Sequence, residues 1–188
     1  AEAVPIAVTR IDLFAEALPQ LGPGMIEGRY ARIMGGTVDP AITEEWDRID
    51  ATGRQLLAHD AILIATPMWN FGIPYPLKHY IDCVTQPGIA FTNDATGAVV
   101  GHAAGRPAMI VAASAMDIAP DGPLAAFDHQ LAYLERWLGF IGVTDIRSLR
   151  VAPTYGPEDE VQRTVAAAAE EARTMACAFA QALKAVRE

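Results

Sequence analysis

Apolar residues along this chain gather into two unbroken runs, Ala61-Ile62-Leu63-Ile64-Ala65 and Ala108-Met109-Ile110-Val111-Ala112-Ala113. Such runs suit strands covered on both faces, whereas a half-exposed strand alternates apolar and polar positions. Ile6 to Phe14 reads as a further strand, and Ile42 to Ala58 and Pro74 to Thr85 read as helices, each bounded by Pro, Gly or Asp. Pro123 to Leu138 is expected to be helical because Asp121-Gly122-Pro123 places a proline where an early helical position is preshaped. Asp145 to Val151 then reads as an edge strand. Glu158 to Arg187 reads as a long closing helix, Ala-rich and with acidic residues ahead of basic ones, as the helix dipole prefers. The alternation predicts an α/β fold with a parallel sheet between helical layers. Gln20 to Pro40, rich in glycine, proline and arginine, is expected to be an irregular excursion: a lid, a dimer arm or a long loop.

Composition narrows this picture. With 188 residues, 52% hydrophobic and 20% charged, the chain is expected to form a single domain over 1–188 with a substantial core. A formal charge of -9, without a dense Lys/Arg cluster, argues against nucleic acid as a partner. The apolar runs fall far short of the roughly 18 residues that a membrane span needs, and no basic, apolar leader is visible, so a soluble cytoplasmic protein with no membrane partner is expected. Cys83 and Cys177 read as reduced, buried small hydrophobes. The four histidines are too scattered for a metal-binding helix, and no nucleophile elbow, P-loop or dinucleotide fingerprint occurs.

One segment carries candidate chemistry. Pro67 to Gly72 follows a buried strand, and open α/β sheets bind ligands beyond the carboxyl ends of their strands. Met68, Trp69 and Phe71 offer polarizable and aromatic surface to a flat ring, and Asn70 offers polar groups for its edge. The same aromatics would serve equally as a cap on the core beneath a loop. Ser114, after the second apolar run, is either a ligand contact or a hydroxyl that satisfies its own loop.

Pro67-Met68-Trp69-Asn70-Phe71-Gly72-Ile73-Pro74, with Leu77-Lys78-His79-Tyr80-Ile81-Asp82 and Gly88-Ile89-Ala90-Phe91, resembles the flavin-loop segment of FMN-dependent NADH azoreductases and quinone reductases. Asp121-Gly122-Pro123 and Trp137 to Asp145 resemble the same family further along. The resemblance implies a flavodoxin-like three-layer fold, FMN as cofactor and NADH as electron donor. It implies quinones and azo compounds as acceptors, ping-pong hydride transfer through the flavin, and a homodimer with flavin pockets at the interface. By that resemblance Met68, Trp69, Asn70, Phe71 and Ser114 bind the cofactor, and Phe91, Trp137 and Phe140 wall the substrate pocket. No side chain need act as acid or base, because the flavin carries the chemistry.

The chain departs from the family in two places. Trp69 stands where the family usually has Tyr, and Ser114-Ala115-Met116-Asp117 keeps only the serine of its Ser-Arg-Gly-Gly loop. No first strand and phosphate loop precede Ile6, so an N-terminally incomplete domain with its first strand absent is expected. A general NAD(P)H-dependent FMN reductase, a flavodoxin-like electron carrier and a non-functional fragment remain open alternatives.

Overall fold

The computed structural model describes residues 6–187. The Ala1–Pro5 stretch, ahead of which the resemblance places a further strand, loop and helix, lies outside them. The elements run α1 (Pro23–Ile33), α2 (Pro40–Leu57), β1 (Ile62–Pro67), α3 (Tyr75–Val84), β2 (Phe91–Asn93), β3 (Val99–Gly101), β4 (Ala108–Ala113), α4 (Leu131–Phe140), β5 (Ile146–Val151) and α5 (Glu158–Arg187). The two apolar runs form β1 and β4, and the expected edge strand forms β5.

The sheet is parallel, in the order β1-β4-β5. Its register is flush: Ile62 pairs with Ala108 and Ala108 with Ile146, while Pro67 pairs with Ala113 and Ala113 with Val151. All three strands therefore end at one level. Ile62, Ala108, Ile110 and Ala112 share one buried cluster with Leu77, Tyr80, Ile81 and Val84 of α3 and Leu131, Leu134, Trp137 and Leu138 of α4. Helix α5 packs against β5. Strand alternation turns Leu63 to the other face, where it is 65% exposed, and β1 has a single sheet neighbour among the described residues.

Three expectations are corrected. Ile6 to Phe14 is no strand: Ile6 and Val8 are exposed, no strand among the described residues lies beside them to share a ladder, and Asp12 accepts from Phe14, Ala15 and Glu16 to start a turn. Gln20 to Pro40 is not irregular, because α1 occupies its middle. Its glycines serve packing as well as turning: a Cβ on buried Gly28 would lie 2.5 Å from Ile42 Cγ2 on α2. Pro123 to Leu138 is not one helix. A short 3-10 turn at Ala125–Phe127 ends at Asp128, whose carboxylate then caps a separate α4.

The β2–β3 hairpin, which no pattern announced, docks on the far end of α4. Gly101 approaches so closely that a Cβ would meet the Ile141 carbonyl carbon at 2.1 Å. A smaller core holds α1 to α2: Trp46 donates from Nε1 to Met25 O at 2.9 Å, and Arg29 lies 4.8 Å over its ring. Of the cysteines, Cys83 is buried as expected, but Cys177 is exposed on α5, because it falls outside that helix's packed stripe.

Burial pushes the Cys83 thiol up from 9.0 to about 11, aided by the Asp82 charge, and the Tyr80 phenol up from 10.0 to about 12. Both groups hold their protons in the fold where the unfolded chain has begun to release them. Stability is therefore full below about pH 9 and falls as pH rises towards the folded values. Urea midpoints should drop as pH rises from about 9 towards about 12, and the drop should shrink in Cys83→Ala. In the native protein a thiol reagent should label Cys177 and leave Cys83 untouched until denaturant is added.

Candidate functional site

Because the strands end flush, the segments that follow β1, β4 and β5 leave from one edge, and each is tied to its neighbour. Met68 N donates to Ala113 O at 2.7 Å, Ser114 N to Val151 O at 3.1 Å, and Thr154 N to Ser114 O at 3.0 Å. Beyond Met68 the chain reverses in two residues. Trp69 and Gly72 exchange both backbone hydrogen bonds, at 2.9 and 3.0 Å, and Asn70 and Phe71 between them have φ of 47° and 73°.

Left-handed φ at both central residues is the mark of a primed two-residue turn, which normally recruits Asn and Gly. Asn70 suits its position. Phe71 does not, since a bulky residue at positive φ costs on the order of 1–3 kcal/mol, a kind of strain that gathers at functional sites. The strained turn displays its rings: Trp69 is 44% exposed and Phe71 38%. Phe14 and Tyr75 flank Trp69, with ring centroids at 5.7 and 6.1 Å, and Phe127 lies 5.0 Å from Phe71. Exposed aromatic surface concentrated on one loop at the sheet's carboxyl edge marks a binding surface more than a core cap.

The structure thus brings Met68, Trp69, Asn70 and Phe71 together on one turn. Ser114 lies at the same edge, but its hydroxyl donates to Met116 O at 2.8 Å within its own loop. At the end of the Ser114 to Asp117 loop Asp117 accepts from Ala119 N at 3.1 Å, and Ile118 just beyond it is buried. Trp137 is in the core, with Nε1 donating to Thr85 Oγ1 at 2.9 Å. Phe91 and Phe140 pack edge to face, 4.9 Å apart, at the end of α4 remote from the turn. A helix of 10 residues separates the two places by roughly 15 Å.

Sequence reasoning missed the 127–130 segment that backs the turn. His129 N–H is shared between Phe71 O and Phe127 O, each at 3.0 Å, and Gln130 Nε2 donates to Thr66 O at 3.2 Å. Asp128 Oδ1 accepts from Gln130 N and Leu131 N, while its other oxygen pairs with Arg150 on β5. An aspartate ahead of Leu131 was a legible cap signal; nothing marked Gln130. The histidines bond separately, His59 to Gln55 O, His79 to Pro19 O and His102 to Ile89 O. Among the described residues no cluster of His, Cys, Asp and Glu could hold a metal ion, and no helix is long and apolar enough to cross a membrane.

Residues 1–176 match the family described as having a flavodoxin-like fold. The chain is 39% identical over 180 residues to an FMN-dependent NADH:quinone oxidoreductase of Nitratidesulfovibrio vulgaris, covering 95% of this chain and 86% of that one. It is 36% identical over 171 residues to FMN-dependent NADH:quinone oxidoreductase 3 of Pseudomonas fluorescens, covering 90% and 79%. Among solved structures, azoreductase AzrA superposes with a TM-score of 0.77 at 25% identity, over 94% of this chain and 79% of that one. An azoreductase of Bacillus anthracis gives the same TM-score and coverage at 24% identity.

The turn's strain has a measurable signature. A β-branched residue tolerates positive φ worse than phenylalanine, and glycine tolerates it freely. Phe71→Val should therefore be less stable than Phe71→Gly by about 1–3 kcal/mol in urea unfolding. Equal midpoints would show that position 71 is not held left-handed.

Proposed function

Because this chain belongs to the flavodoxin-like fold family, among its FMN-dependent NADH:quinone oxidoreductases, we propose that it binds FMN at the Trp69–Gly72 turn and uses NADH to reduce quinones and azo compounds in the cytoplasm. The observation that carries this reading is the turn itself: a strained, aromatic reversal at the sheet's carboxyl edge.

The residues present fit the ring of a flavin. Met68, Trp69 and Phe71 supply flat and polarizable surface, and the left-handed turn lifts Asn70 to the edge of that surface. The phosphate end finds no comparable receptor among the described residues at this edge. Helix α3 begins at Pro74-Tyr75-Pro76 and so offers few amides, Asp128 already caps α4, and α5 opens with Glu158, Asp159 and Glu160.

When bound, the flavin would supply hydride transfer in two half-reactions, NADH entering first and the acceptor second in the same slot. This chain's own residues orient and shield. Trp69 and Phe71 exclude water from one side of the ring. Asn70 and the loop amides meet its polar edge, and Ser114 supports the neighbouring loop from its position next to β4.

Phe91 and Phe140 lie too far from the turn to wall an acceptor within one chain. A homodimer with its pockets at the interface resolves this, one copy's Phe91 and Phe140 closing the slot of the other. Trp137 serves that wall from beneath, as packing.

The test is direct. Purified protein titrated with FMN should quench flavin fluorescence, and Trp69→Ala or Phe71→Gly should raise the dissociation constant about tenfold, the loss of one aromatic contact. Ser114→Ala should change it less than about threefold, because its hydroxyl is engaged at home. NADH oxidation with menadione as varied acceptor should give parallel double-reciprocal lines. Flavin that is reduced without turnover would mark an electron carrier, and no flavin binding at all would end the proposal.

A further inference from the structure

We propose that Gln130 is a positioning residue for the flavin turn, acting with Asp128 and His129 as a strap that holds Asn70 and Phe71 in their left-handed conformation. This rests on the flavin-binding reading above and names what makes that site competent.

Gln130 is 1% exposed, so it reaches no ligand. A buried primary amide is unfavourable unless it is hydrogen-bonded, and an apolar side chain would fill the space at lower cost. Its Nε2 donates to Thr66 O, the last carbonyl before Pro67, where the excursion leaves the sheet. One residue earlier, the His129 amide reaches Phe71 O, the tip of the excursion. The strap therefore grips the turn at its root and at its crest, with the Phe127 ring against Phe71 beside it.

The strap is itself fixed from behind. Asp128 ties it to the first turn of α4 through two backbone amides and to β5 through Arg150, and that ion pair is largely buried, at 10% and 30% side-chain exposure. Two consecutive non-glycine residues at positive φ persist only where their surroundings over-determine them. The strap bonds strained Phe71 directly and, beside it, Thr66 at the root of its excursion. Without its bonds the turn relaxes, the Trp69 and Phe71 rings lose their fixed placement, and the flavin surface blurs while the core beneath remains.

Trp69 reports this without any cofactor, because Trp46 and Trp137 are buried at 1% and 7% exposure and Trp69 is the accessible indole. In flavin-free protein, Gln130→Met, which keeps the length and removes the donor, should raise acrylamide quenching of tryptophan about twofold, with far-ultraviolet circular dichroism unchanged. In the presence of FMN the same variant should raise the dissociation constant about fivefold, the size of one lost hydrogen bond. It should also shift the visible flavin bands. Asp128→Asn, which keeps the Oδ1 acceptor and removes the negative charge facing Arg150, should move both readouts the same way but less, and serves if Gln130→Met does not fold. Placing Phe71→Gly beneath Gln130→Met should shrink the quenching difference, because an unstrained turn needs no strap. Unchanged quenching in both strap variants would overturn the proposal. If wild-type protein bound no FMN, the flavin reading would fall and the quenching comparison would still decide whether Gln130 positions the turn.

Discussion

Three parallel strands that stop at the same level leave the carbonyl and amide groups at that level without a ladder to join, and buried backbone groups must find partners. Here the partners come from the outgoing segments themselves: Met68 bonds to Ala113, Ser114 to Val151, and Thr154 back to Ser114. The flush register of β1, β4 and β5 therefore decides where three loops are anchored and how closely they run. The aromatic turn, the Ser114 loop and the approach to α5 all follow from it. A register slip of one residue in β1 would bury Leu63, expose Ile62 and Ile64, and send Trp69 to the wrong side of the edge.

Much of the fold was legible because the physics behind it is local. Continuous apolar runs can only be satisfied between two layers, and that identified β1 and β4 before any geometry was known. The Ala-rich terminal helix and the amphipathic α2 and α3 are equally self-announcing. What escaped depends on partners distant in sequence. Helix α1 looked irregular because Gly28, read as a loop residue, is a contact point with Ile42. Ile6 to Phe14 has the composition of a strand, yet composition cannot provide the neighbour that a strand requires. The β2–β3 hairpin is three residues a side and depends on its fit against Ile141 and Gly142.

The candidate site was legible as chemistry and illegible as conformation. Residue types at Met68 to Phe71 pointed to a flat ligand, but no property of phenylalanine suggests that position 71 is left-handed. That state depends on Gln130, His129 and Asp128, some 60 residues away, of which only Asp128 carried a signal, and that signal was for a helix start and not for the turn. Trp137 shows the converse error of type-based reading: an aromatic in a resembling segment is as easily a beam of the core as a wall of the pocket.

Among the described residues no strand lies along the outer edge of β1, and Leu63 beside it is exposed; an edge of that kind is a template for a further strand. The chain's formal charge of -9 works against that encounter by repulsion between copies. The two tendencies respond differently to electrolyte, since screening weakens the repulsion beyond about 10 Å at 0.1 M salt and leaves edge pairing intact. Added salt therefore tilts that balance towards contact between copies.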